Sequence, residues 1–169
     1  MSEILSKELT HECVLVMKEN VKRIGICLAE LRYDEIWQRP NSQLSSIGNL
    51  ILHLCGNIGQ YVLSSLGGKP DQRKRDEEFA ATGGYTADEL LARITDTVDR
   101  AATVMSQLSE AELLRKRMVQ GFNLSGVGIV VHVTEHLSYH TAQIALHTKL
   151  LKEKDLGFYA GLNLNITNE

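Results

Sequence analysis

Apolar residues recur every three or four positions along four long stretches of the chain, and its only prolines, Pro40 and Pro70, fall between them. That period marks a helix with one buried face, and proline interrupts a helix interior. The first stretch covers about residues 2–31, with Met17, Val21, Ile24, Leu28 and Leu31 on one face. The second begins at Ser45 or Ser46, either of which suits an N-cap, and runs to about residue 66. There Gly67-Gly68 supplies the left-handed conformation that often ends a helix. Gly48, Gly56 and Gly59 lie inside this stretch, each costing about 1 kcal/mol of helix propensity against alanine. Close packing on a neighbour is expected to offset that cost.

The third stretch opens at Thr86, which forms a capping box with Glu89, and its stripe is Leu90, Ile94, Val98, Ala101 and Met105. Between residues 109 and 123, Ser109 is expected to cap a short turn and 115–119 to run extended. The fourth stretch covers about residues 125–154, with Ile129, Val130, Val133 and Ile144 apolar. The tail, residues 155–169, has no clear period. Four long amphipathic helices predict an all-α fold, an up-down four-helix bundle.

Composition narrows the function classes. The 169 residues fit one domain, residues 1–169, on a prior of roughly 100–200 residues per domain. A net charge of −3, from 18 basic and 21 acidic residues, lacks the basic excess of a nucleic-acid binder. Residues 71–78 form a mixed charge run, expected as a solvated loop or helix cap. Cys13, Cys27 and Cys55 are too few and too scattered for a disulfide framework and read as reduced, buried thiols. No signal peptide and no membrane-spanning run of about 18 apolar residues is seen, so a cytoplasmic protein without a membrane partner is expected.

The chemistry lies in the fourth helix, where His132, His136 and His140 stand one turn apart in VVHVTEHLSYHTAQIALHTKLL. Residues four apart on a helix share a face, offset by about 40°. Two imidazoles so placed hold one metal ion only with help from elsewhere. His53, alone in the apolar second helix, is the candidate for that role. Three neutral imidazoles suit a borderline divalent ion such as zinc or nickel, and a position left to water is the catalytic arrangement. The spacing itself does not say which two of the three histidines ligate. Asn57 shares the His53 face, and Tyr139 and Gln143 flank His140; with His132 they are candidate lining residues. No HExxH is present, so the zinc-protease base is missing.

The segment TEHLSYHTAQI resembles the signature of the DinB-like metal-dependent bundle proteins, the superfamily that includes proteins of the YfiT type, classed as hydrolases, and some thiol-dependent transferases. Their fourth helix carries H-x-x-x-H followed by a small residue and Gln, read here as His136 to Gln143. Their third histidine lies in the second helix, where LILHLCGN supplies His53. Trp37-Gln38-Arg39-Pro40, Asn49 to Asn57 and Arg75-Asp76-Glu77-Glu78-Phe79 also resemble a branch of that superfamily, in the expected order. The resemblance implies a metal held by His53, His136 and His140, with His132 as a lining residue. It also departs from the family, which often has Arg-Gly-Gln after the last histidine where this chain has Thr141-Ala142-Gln143. What it implies for function is a metal-dependent hydrolase, or a transferase using a low-molecular-weight thiol, acting on a small molecule. The alternative is a non-catalytic stress-response or ligand-binding bundle with a structural metal. A homodimer is expected in either case.

Overall fold

Serine and threonine side chains set where the helices begin. In the computed structural model, which describes the backbone of residues 2–168 and the side chains of residues 4–168, Ser46 Oγ accepts from the Asn49 N–H at 3.1 Å. Thr86 Oγ1 accepts from the Glu89 N–H at 3.3 Å, and Glu89 closes the box by accepting from the Thr86 N–H at 2.8 Å. Ser109 and Ser125 cap in the same way, accepting from Glu112 and Gly128. Each cap is worth about 1 kcal/mol.

The elements so delimited are α1 (Ser2–Ala29), α2 (Tyr33–Trp37), α3 (Ile47–Ile58), α4 (Arg75–Ala80), α5 (Ala87–Ser106), α6 (Glu110–Leu114), β1 (Lys116–Val119), β2 (Phe122–Ser125) and α7 (Gly126–Lys152). The second predicted helix is therefore divided: it is α-helical to Ile58 and π-helical over Gly59–Ser64. The extended run expected at 115–119 is β1, and it has a partner that was not expected, β2. Met118 faces Asn123 and Val119 faces Phe122 across the pair. Gln120 and Gly121 join the strands with φ of 50° and 84°, the two positive values that a type I′ hairpin turn requires. Glu169, the last residue of the predicted tail, lies outside the described residues.

The long helices form an all-α bundle. α1 packs against α7 and α5, and α3 packs against the same two, so the ring order is α1, α7, α3, α5. The α1-to-α3 and α5-to-α7 connections thus cross the bundle diagonally, carrying α2 in one case and α6 with the hairpin in the other. Ile24, Ile51, Leu54, Ile58, Leu90, Ile94, Ile129, Val130 and Leu137 are fully buried at its centre. Each such side chain contributes about 1.5–3 kcal/mol by leaving water. Cys27 and Cys55 are buried as expected, while Cys13 is only half-buried. No helix among the described residues is long and apolar enough to cross a membrane.

The glycines of the second helix do not all serve close packing. A Cβ on Gly48 would lie 2.7 Å from the Trp37 ring, so this glycine lets α2 dock on α3. Gly56 faces the Glu78 carboxylate. Gly59, in contrast, has open space beside it and stands at the start of the π-helical segment. π-Helical turns are rare and occur most often at functional sites.

Candidate metal centre

The packing of α3 on α7 brings His53 to His136 and His140. Their ligating atoms all lie within 4.8 Å of one another, a grouping that could hold a metal ion. His53 is buried, and His136 and His140 are half-buried. His53 Nε2 and His136 Nε2 are 2.9 Å apart. The His136 and His140 rings meet edge to face at 4.5 Å, and His53 and His140 at 5.1 Å.

Neighbouring groups bear on which nitrogen carries the proton in the His53 and His140 rings. Glu78 Oε2 lies 3.1 Å from His53 Nδ1. Arg73 Nη2, which only donates, lies equally 3.1 Å from that nitrogen, but it already donates to Glu78 Oε2. A carboxylate only accepts, so its contact with His53 is made by the tautomer with the proton on Nδ1, which leaves the Nε2 lone pair pointing inward. Gln143 Oε1, as assigned, lies 2.7 Å from His140 Nδ1 and fixes that ring in the same sense. His53 and His140 thus each have the kind of outer partner that histidines at metal sites almost always show. The His53 lone pair, facing His136 Nε2, draws a proton from that ring or a cation between the two. The donor set fits a borderline divalent ion.

Burial pushes the His136 imidazole down to about 3, with the neighbouring His140, His53 and His132 and Arg73 adding to the effect. Burial likewise lowers His140, partly opposed by its bond to Gln143, and lowers His132. Rings kept neutral are competent ligands. The unfolded chain releases these protons near the ordinary histidine value of about 6.5, so it binds more protons than the folded chain below that pH. Metal-free protein is therefore fully stable above about pH 6.5 and loses stability steadily as pH falls toward 3. Urea midpoints in the presence of chelator should drop between pH 7.5 and 4.5. Equal midpoints would mean that His136 is not desolvated.

The remaining candidates fall around this centre. His132 stacks on His136, with centroids 5.3 Å apart, but its Nε2 faces Asn57 Nδ2 at 3.4 Å rather than the other two histidines. Tyr61 is buried against His132 at 4.5 Å and donates to Gln120 Oε1 at 2.9 Å. Asn57 is buried, and its Oδ1 has no hydrogen-bond partner among the described residues. Tyr139 is exposed, with its ring edge-on to His140 at 5.0 Å. Glu135 is exposed on the outer side of α7. Thr141, in place of the family's arginine, is buried and donates to Leu137 O at 2.7 Å.

Two residues at the centre were misread in the sequence. Most of the charge run at 71–78 is exposed, as expected, but the Arg73 and Glu78 side chains are only 4% and 10% exposed and pack against His53. Phe79 joins them, its ring 4.7 Å from that of His53. The sequence signals were the family resemblance of Arg75 to Phe79, which gave Glu78 no role, and Gly56, which leaves room for the Glu78 side chain. Cys55 points away from the centre toward Thr97, and burial pushes its thiol up to about 11. Burial also raises Cys27.

Similarity to solved structures agrees with this bundle. A conserved protein from Enterococcus faecalis superposes with a TM-score of 0.71 at 14% identity, covering 86% of this chain and 98% of that one. A DinB-like protein, YjoA, from Bacillus subtilis gives 0.66 at 15% identity, covering 88% and 97%. A histidine-to-alanine mutant of a mycothiol-dependent maleylpyruvate isomerase gives 0.53 at 14% identity, covering 82% of this chain and 59% of that one. At such identities the likeness concerns the fold. No curated protein matches the sequence. Residues 6–160 match the family described as "protein of unknown function (DUF1572)". By that match the chain belongs to the DUF1572 family, and its bundle has the fold of a DinB-like protein.

Proposed function

We propose that this protein is a divalent-metal enzyme that performs hydrolysis or thiol-dependent group transfer on a small molecule, with His53, His136 and His140 holding the ion. The observation that carries the proposal is the convergence of three imidazoles whose outer nitrogens at His53 and His140 are occupied by Glu78 and Gln143. Zinc and nickel suit this donor set. A bound ion of this kind supplies Lewis acidity, lowering the pKa of a water or thiol drawn to it.

The chain's own groups shape what approaches. Asn57 Oδ1 is a buried acceptor that a donor group on a ligand would satisfy. His132, Tyr139 and Gln143 border the approach, with Tyr139 on its exposed side. An external low-molecular-weight thiol suits the transferase branch because burial holds Cys27 and Cys55 in the unreactive thiol form. The structural likeness to a mycothiol-dependent enzyme makes such thiols the first co-substrates to try. A cytoplasmic homodimer is part of the same reading. Its contact would use Leu15, Val16 and Leu146, which border a cleft of about 890 Å³ between α1 and α7. A monomer in sedimentation at micromolar concentration would remove it.

The function itself is tested by loading purified protein with zinc or nickel and assaying thiol-transfer and hydrolase panels before and after chelation. Turnover that follows the metal is expected and should vanish in His136→Ala. Stoichiometric metal with no turnover on either panel would favour a ligand-binding bundle with a structural ion.

A further inference from the structure

Charged side chains are seldom buried without a purpose or a partner, and Arg73 and Glu78 have sunk from an otherwise exposed charge run to lie beside His53. Arg73 grips the carboxylate with two bonds, Nε to Oε1 at 2.8 Å and Nη2 to Oε2 at 3.0 Å. Its third nitrogen, Nη1, donates to Gln60 Oε1 at 3.0 Å, and Gln60 Nε2 donates to Asp71 Oδ2 at 2.7 Å. Asn49 fixes α4 from the other side, donating to Glu78 O at 2.9 Å and Ala81 O at 2.7 Å. Gly56 completes the cradle: a Cβ there would lie 2.7 Å from Glu78 Cδ and 3.1 Å from Arg73 Nε. Arg73 from the loop and Gly56 from α3 meet at one carboxylate, Gln60 of the π-helical segment holds the arginine, and that carboxylate faces His53 Nδ1, where Arg73 Nη2 also lies at 3.1 Å.

We propose that Glu78, clamped by Arg73, is the positioning residue of the metal centre. It fixes His53 with the proton on Nδ1, sets the plane of the ring, and makes Nε2 a stronger donor to the ion. Carboxylate–histidine pairs do this at metal sites, and the bidentate arginine fork gives the carboxylate one orientation. Gly56 is part of the device because any side chain there displaces the carboxylate. The inference rests on the metal reading above. It differs from a purely structural ion pair, which would tie the 67–74 loop to α3 without affecting how the ion binds.

The test measures zinc affinity by chelator competition, and cobalt absorption at equal loading, for full-length wild type, Glu78→Gln and Gly56→Ala. Circular dichroism and metal-free melting run alongside as checks on folding. Wild type should bind one ion. Both variants should bind zinc about 10–100-fold more weakly, the range typical of a lost outer partner, with an altered cobalt spectrum. The two variants reach the carboxylate by different routes, one by neutralising it and one by displacing it, so failure of one to fold leaves the other decisive. Zinc affinities within about threefold of wild type, well below that range, would overturn the positioning role while leaving the metal centre standing. A wild type that binds no ion would overturn the metal reading itself, and this inference with it.

Discussion

His136→Ala weakens zinc or nickel binding by at least about 100-fold, beyond the 10–100-fold range for outer partners of a ligand. The side chain meets both other histidines, 2.9 Å from His53 Nε2 and edge to face with His140. Its loss leaves two imidazoles on different helices and no third donor in place. The metal-free fold should be little affected, within about 1 kcal/mol, the centre of the range for point substitutions. The ring that is removed is only half-buried. Linkage makes the effect measurable without knowing the reaction. Metal at a thousandfold excess over the dissociation constant stabilises wild type by about 4 kcal/mol. At that concentration a variant 100-fold weaker gains at most about 1.4 kcal/mol. His132→Ala is the control: its Nε2 is turned to Asn57, so metal-linked stabilisation should persist. Equal metal-linked stabilisation in wild type and His136→Ala would count against the proposed ligand set.

The second large effect is on the fold, at the start of the histidine helix. Gly126→Ala should destabilise the protein by about 2–3 kcal/mol, the upper range for overpacking. A Cβ there would lie 2.6 Å from Glu112 O and 2.8 Å from Leu113 Cα. Both are backbone atoms, so no side chain can swing aside. Relief requires α6 to part from the first turn of α7. Two residues on, the expected sign is opposite. A Cβ at Gly128 would meet nothing closer than Ser125 Oγ at 3.5 Å, an ordinary contact. Gly128→Ala should therefore stabilise by about 0.5–1 kcal/mol through helix propensity and a less flexible unfolded chain. Urea unfolding of the two variants reads both signs. A Gly126→Ala protein as stable as wild type would show that α6 is not seated on the glycine.

Helical period and caps carried most of the fold into view from the residues alone. Thr86 with Glu89, Ser46 and Ser109 cap where the sequence places them, because capping depends on neighbours within one turn. The ring order was not legible, since nothing local records which long helices are diagonal. Nor was β2: its joint is Gln120-Gly121 rather than Asn-Gly or Asp-Gly, the pairs that usually announce a two-residue hairpin turn. The π-helical segment was hidden because its residues keep the same apolar spacing as the helix before it.

At the centre, the grouping of the three histidines was readable as a candidate because metal chemistry demands particular side chains, and helical spacing limits how they can meet. Glu78 and Arg73 were not, because their burial depends on a loop folding back over α3. A charge run of that composition is ordinarily solvated, and six of its eight members are. Only the partner positions, Gly56 and His53, were on a periodic element. The residues proposed to hold the ion are thus easier to find in sequence than those proposed to position them.

The central claim is that one ion sits among His53, His136 and His140. Anomalous diffraction at the zinc and nickel edges, from crystals of chelated and then reconstituted protein, tests it most directly. The account predicts one strong peak per chain, bonded to the Nε2 atoms of all three histidines, with Glu78 still on His53 Nδ1. Reconstituted crystals with no peak there, or with a peak held by His132 in place of His53, would contradict it.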